Sequence, residues 1–219
     1  MSDLLDTVLA SPEQPYALVH RPRSRGQGQL EVFTGDVVSV PELADVPLPD
    51  ADAPAGPQAF VVVPFRQLTE RGLACVDDEA PLLVMNIREH AVLPKAGALD
   101  RLPDDALRPA RAGFDVDDEA YAEIVRRVIT DEIGRGEGAN FVIRRSFVAE
   151  FEDYHAGLAL SFFRRLCARE SGYYWAFVLH TGDRTFVGAS PERHVSLDNG
   201  VVTMNPISGT YRYPAGGPT

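Results

Sequence analysis

Residues 173–205 read YYWAFVLHTGDRTFVGASPERHVSLDNGVVTMN, and this stretch decides the class of fold. It divides into four short runs rich in β-branched and aromatic residues: YYWAFVLH, RTFVGAS, RHVSL and VVTMN. Thr181-Gly182-Asp183 separates the first two and Asp198-Asn199-Gly200 the last two, residue types that supply the backbone of tight hairpin turns. Four strands in antiparallel pairs are therefore predicted. Immediately upstream, Leu158, Phe162, Phe163 and Leu166 predict a helix near 154–170, stopped by Ser171-Gly172, and ANFVIRRSF predicts a strand over 139–147. Tyr121, Ile124, Val125, Val128, Ile129 and Ile133 lie on one side of a helix that Asp117 or Asp118 can cap and Gly134 can end. Farther back, Tyr16–Val19, Leu30–Val40, Phe60–Phe65 and Leu82–Ile87 are short β-branched runs. Residues 44–58 and 93–116, loaded with Pro, Ala, Gly and Asp, read as surface connections. The pattern predicts an α+β fold with largely antiparallel sheets and a few long helices. It predicts a β-rich region at 1–116 and a second region at 117–219.

The composition excludes several classes. The 219 residues carry 21 Lys+Arg against 32 Asp+Glu, a net charge of −11, with 45% hydrophobic residues. Such a chain builds a packed core, and its acidic balance argues against nucleic acid, whose binding rests on neutralised phosphates. Lys95 is the only lysine. The opening MSDLLDTVLASPEQ has no basic segment before an apolar run, and the longest apolar run, Ala59 to Phe65, is interrupted by Pro64. No membrane span is predicted, because crossing takes about 20 apolar residues. Cys75 and Cys167 read as two buried thiols in a reducing compartment, which places the chain in the cytoplasm. His20, His90, His155, His180 and His194 lack metal-ligand spacing and read as satisfied core or surface residues. Gly134-Arg-Gly-Glu-Gly138 follows a helix and precedes a predicted strand, the reverse of a phosphate-cradling loop.

Three segments carry candidate chemistry: Gly188-Ala-Ser-Pro-Glu192, Asn205-Pro-Ile-Ser-Gly-Thr-Tyr-Arg212, and Asn140. By pattern alone, Glu192 is as readily a solvated turn residue as a functional acid, and Asn140 as readily a locally bonded strand residue. Residues 207–212 read as a tight turn in which Gly209 lets the backbone approach a ligand and Thr210 offers a hydroxyl. Their order says more. SPE, followed eighteen residues after its glutamate by the threonine of P-I-x-G-T-x-R with an Asn-Gly hairpin between, resembles the chorismate-utilising enzymes. These include anthranilate synthase component I and the aminodeoxychorismate, isochorismate and salicylate synthases.

The resemblance implies the N-terminal half of the chorismate-utilising synthase fold, with residues 117–219 starting its chorismate-binding region. It makes Glu192 the general acid that assists departure of the 4-hydroxyl, a poor leaving group unless protonated. It places Gly209, Thr210, Ser208 and Asn140 against the substrate. Water-using members resemble this chain except for a lysine where Asn140 stands, and members that aminate C4 except for a lysine where Ser208 stands. Both absences point to ammonia attack at C2. PYALVHRP at 15–22 replaces the LLES-type segment of tryptophan-regulated members, and with MNPISGTYRYP it is similar to members of phenazine-type pathways that stop at 2-amino-2-desoxyisochorismate. Anthranilate formation is the alternative, and a non-catalytic assembly half is another. The family also implies Mg²⁺, with ligands beyond residue 219, and ammonia from a glutamine amidotransferase domain or subunit. It further implies a homodimer, and a chain that is an N-terminal fragment with apolar strand faces left open.

Overall fold

The structure is a computed structural model and describes residues 3–21, 28–48, 56–170, 172–198 and 200–206. Asp3 opens the first helix, α1 (Leu4–Ala10). Its carboxylate accepts the Asp6 N–H at 3.1 Å, and the Asp6 carboxylate accepts the Asp3 N–H at 3.2 Å. There follow β1 (Tyr16–His20), β2 (Gln29–Val40), β3 (Ala59–Val62), a 3-10 turn at Phe65–Arg71, β4 (Leu82–Pro94) and α2 (Lys95–Arg101). Next come β5 (Arg111–Phe114), α3 (Asp118–Arg127) and β6 (Phe147–Glu150). The described chain closes with α4 (Ala156–Arg169), β7 (Trp175–His180), β8 (Thr185–Ser190), β9 (Arg193–Asp198) and β10 (Val201–Asn205). Every strand pairing among the described residues is antiparallel, and the class is α+β.

Packing divides the chain into two units: Met1–Asp105 together with Ala156–Thr219, and Ala106–His155. In the first, six strands form one sheet in the order β3-β4-β2-β1-β7-β8. β1 lies inside it and is buried at all five positions, so its side chains alternate between two apolar layers. Tyr16 and Leu18 join Leu30, Val32, Ala176 and Val178 beneath Leu5 and Val8 of α1, Ala98 of α2, and Leu160, Phe163 and Cys167 of α4. Ala17 and Val19 face the other way, toward Phe33, Met85 and Leu179. Arg101 ties α2 to α1 by a bidentate pair with Asp3 at 2.6 and 2.7 Å, which holds the Asp3 carboxyl at about 2.

Gly35 marks the one place where β2 slips against β4, between Thr34 opposite Glu89 and Gly35 opposite Ile87. A Cβ on Gly35 would stand 2.0 Å from the Asn86 carbonyl oxygen, so glycine is what lets the two backbones approach.

One expectation changes here. Residues 93–116 are not only a connection: Pro94 ends β4, α2 follows, and Ala98 and Leu102 sit 2% exposed in the core. Their burial outweighs the local Pro and Gly signals that suggested a loop. α1 also went unread, because seven residues with two buried side chains give too short a stripe.

In the second unit the Asp117 carboxylate accepts the Ala120 N–H at 2.8 Å and starts α3, which widens into a π-helical turn at Val128–Ile133. The Gly134 N–H reaches back to the Ile129 carbonyl at 2.9 Å and ends it. β5 and β6, with α3 between them in sequence, pair as a two-stranded antiparallel sheet with Phe114 edge-on to Phe147. The strand predicted over 139–147 is corrected: residues 139–146 form no strand, and β6 begins at Phe147. Several of its polar groups bond to side chains instead. Tyr121 Oη–H donates to the Ile143 carbonyl, Arg145 pairs with Asp118 at 2.6 Å, and the Ser146 N–H donates to Asp115 Oδ1 at 2.8 Å. An apolar run without a neighbouring strand cannot form a ladder.

Candidate active site

β8 and β9 meet at Ser190-Pro191-Glu192. Pro191 has no N–H to continue a ladder, so the pairing of β7 with β8 stops at Ser190, which lies opposite Trp175. The Glu192 N–H donates to Ser190 Oγ at 3.2 Å, and Ser190 Oγ–H approaches the Glu192 carbonyl at 3.4 Å. This small hydroxyl-bonded turn presents Glu192 to solvent. Gly188, two residues before Ser190, makes room for the ring of Phe177, its partner on β7: a Cβ there would stand 2.8 Å from that ring.

The other sequence-derived positions distribute as follows. Asn140 is exposed, lies in the irregular segment before β6, and belongs to the second unit, whereas Glu192 belongs to the first. Ser208, Gly209 and Thr210 lie outside the described residues. Among the described residues, no three His, Cys, Asp or Glu side chains gather in a way that would hold a metal ion.

Sequence reasoning missed a buried polar contact at the end of β1. His20 is 2% exposed, with Nδ1 2.9 Å from the Gln29 carbonyl and Nε2 3.1 Å from Lys95 Nζ. A carbonyl only accepts and an ammonium only donates, so Nδ1 carries the proton and the ring is neutral. Burial holds the His20 pKa below its usual value, and Lys95 adds to that. His180 is likewise satisfied, by Thr185 Oγ1 and the Glu13 carbonyl, and His90 leans on Glu31 while stacking on Phe33. No local motif announces the His20–Lys95 pair, since its partners are 75 residues apart. The two thiols also differ: Cys167 is buried and pushed up to about 12 by that burial, whereas Cys75 is only half-buried, a correction to the expected pair of buried thiols.

A cavity of about 380 Å³ opens elsewhere, between α1 and the β2–β4 slip, lined by Thr7, Tyr16, Asp36, Arg88 and Glu89. It contains none of the sequence-derived site residues.

Comparison with known proteins adds the context. Residues 82–215 match the model of a family described as chorismate binding enzyme. The chain is 50% identical over 217 residues to a protein of Pseudomonas chlororaphis named "Anthranilate synthase, phenazine specific", covering 98% of this chain and 34% of that protein. A protein of Pseudomonas fluorescens with the same name is 50% identical over 218 residues, covering 99% of this chain and 34% of its own length. The chain thus spans about a third of the length of these relatives.

Proposed function

The chain belongs to the chorismate-binding enzyme family, and from that premise we propose that it forms part of an ammonia-using synthase that aminates chorismate at C2. In the proposed reaction the ammonia nitrogen bonds to C2, the ring double bonds shift, and the 4-hydroxyl leaves as water after taking a proton. The ammonia nitrogen gives up one proton, and the product is 2-amino-2-desoxyisochorismate. The observation that carries this reading is Glu192, held on the Ser190-bonded turn inside the family-matched region as an exposed carboxyl group. Protonation of the departing hydroxyl is what Glu192 would supply. The absence of lysine at Asn140 and Ser208 supports ammonia over water, and C2 over C4. The phenazine-specific names of both relatives support the pathway.

Release of anthranilate is the second reading, favoured by the words "anthranilate synthase" in those same names. It differs by elimination of pyruvate, which aromatises the ring. An assembly role without chemistry of its own is a third, favoured by the 34% coverage. Mg²⁺ belongs to the proposal as a family cofactor that would neutralise substrate carboxylates, with ligands outside this chain. A glutamine amidotransferase as ammonia source, a homodimer and a cytoplasmic address belong to it on the same footing.

The test joins this chain to the two-thirds of the Pseudomonas chlororaphis protein that it does not match, and supplies chorismate, Mg²⁺ and ammonium. The expected product is the aminated intermediate without pyruvate, and Glu192→Gln should lower kcat by roughly 10²- to 10⁴-fold, the usual worth of a general acid. Anthranilate and pyruvate in equal amounts would establish the second reading instead.

A further inference from the structure

The cavity between α1 and the β2–β4 slip contains none of the groups assigned to the proposed reaction, yet its lining is selective. At the slip Thr34 lies opposite Glu89 and Gly35 opposite Ile87, so Arg88 has no opposite residue on β2. A bulged residue escapes the regular alternation of the strand, which is how such irregularities re-aim a side chain. Arg88 lines the cavity and pairs there with Asp36, so those two charges cancel. Glu89 lines it as well. Among the described residues the ion pairs of β4 take Arg88 to Asp36 and His90 to Glu31, which leaves Glu89 without a cation. The lining therefore carries one uncompensated negative charge. Thr7 and Ser11 of the α1 side add hydroxyl groups, and Val8 with the buried ring of Tyr16 adds an apolar wall.

Charge and donor count select the occupant. A hard divalent metal takes about six oxygen ligands, and among the described residues no group of three metal-ligating side chains exists. An anion meets Glu89 and finds Arg88 already neutralised by Asp36. A primary ammonium suits the whole lining: its N–H groups need only acceptors, which one carboxylate and two hydroxyls supply. The net charge of −11 draws cations to the chain. At about 380 Å³ the cavity sits near the small end of the range for ligand sites, so its occupant is compact. We propose that this cavity is a binding site for a small organic amine. Its ammonium group is held by Glu89 with the Thr7 and Ser11 hydroxyls, and its apolar body rests on Val8 and Tyr16. Because the lining joins α1 to β2 and β4, a bound amine ties the helix to the sheet. The site and the proposed amination are independent of each other.

The experiment is isothermal titration of the 219-residue chain at low salt with probes that share one body and differ in the head group. Tyramine carries an ammonium, 4-ethylphenol no charge, 3-(4-hydroxyphenyl)propionate a carboxylate, and tyrosine both. Tyramine is expected to bind with a Kd of about 1 mM or below, and the other three about tenfold more weakly. Glu89→Gln should weaken tyramine about tenfold. Thr7→Trp, which fills the cavity and changes no charge, should abolish binding, and Glu132→Gln in the second unit should leave it unchanged. Thr7 and Glu89 are both exposed, so neither variant opens the core, and far-UV circular dichroism checks that the fold is retained. Amide exchange should show α1 better protected with tyramine bound. Any of four results would overturn the proposal: no tyramine binding up to about 10 mM, equal binding of the neutral or anionic probe, tyramine binding untouched by Glu89→Gln, or tighter binding of tyrosine, whose carboxylate would have to take Arg88 from Asp36. None of these readouts involves turnover, so a failure of the amination reading leaves the amine site standing, and the converse holds.

Discussion

Helix α4 seats Leu160, Phe163 and Cys167 against the sheet until each is at most 1% exposed. Helix α3, with an apolar stripe as regular in sequence, buries no side chain at all. The same contrast holds for the units that contain them. The first has a core on each face of its sheet, and no residue of Ala106–His155 is buried. The difference teaches that helical spacing identifies a face, whereas burial depends on a second layer that local sequence does not encode. In the first unit that layer is assembled from α1, α2 and α4. In the second, the two-stranded sheet of β5 and β6 has only four residues per strand, too little surface to cover a helix.

Substitution gives the widest test of this contrast. Phe163→Ala should cost about 3–5 kcal/mol, because it removes a fully buried ring. Ile124→Ala, at a position of α3 that is 38% exposed, should stay within about 0.5 kcal/mol. Urea unfolding at matched slopes measures both, and comparable losses would erase the distinction between the two helices.

Acid separates the units by a smaller margin. His20 takes its proton in the unfolded chain near 6.5 and in the folded chain only at lower pH, so between those values the unfolded state binds more protons. Its contribution is therefore complete above about 6.5 and is lost as pH falls toward the folded value. Asp115, in the other unit, is held below its usual 3.8 chiefly by the Ser146 N–H, so its contribution persists until the pH drops through that lower range. Amide exchange at pH 7 and 5 should show β1 and α2 loosening while protection around Asp115 stays unchanged. His20→Gln should flatten the pH dependence of the first unit, and an unaltered slope in that variant would remove His20 as its source.

The smallest effect is chemical. Cys167, pushed up to about 12, should resist iodoacetamide at pH 8 in the folded chain, while the half-buried Cys75 reacts first. Equal modification of both under native conditions would mean that the α4 layer opens readily.

What could be read in the sequence follows the same physical line. The Asp117 cap, the end at Gly134, the helix at Ala156–Arg169 and the two hairpin turns with Gly182 and Gly200 at positive φ are local signals, and the structure shows them. α2 was hidden because the evidence for it, the contact of Ala98 with a core built from β1 and α4, is nonlocal. Residues 139–146 misled for the converse reason: Phe141, Val142 and Ile143 have strand-like composition but no strand beside them. At the site, Ser190-Pro191-Glu192 reads as a turn and the structure shows that turn, because its hydrogen bonds lie within three consecutive residues. The position of Asn140 relative to any strand depended on pairing that its own sequence could not specify.

The register of β1 also has a consequence for biosynthesis. Leu18 pairs with Val178, 178 − 18 = 160 residues later, so one side of the central strand must wait for β7. At roughly 5–20 residues per second, the ribosome leaves that edge without its neighbour for about 8–32 s. Once residue 94 has been made β2 and β4 are present as well, and the nascent sheet carries a row of unpaired amides along β1 until β7 follows. Translation speed between residues 21 and 174, and whichever chaperone meets the chain at the exit tunnel, thereby become determinants of its yield.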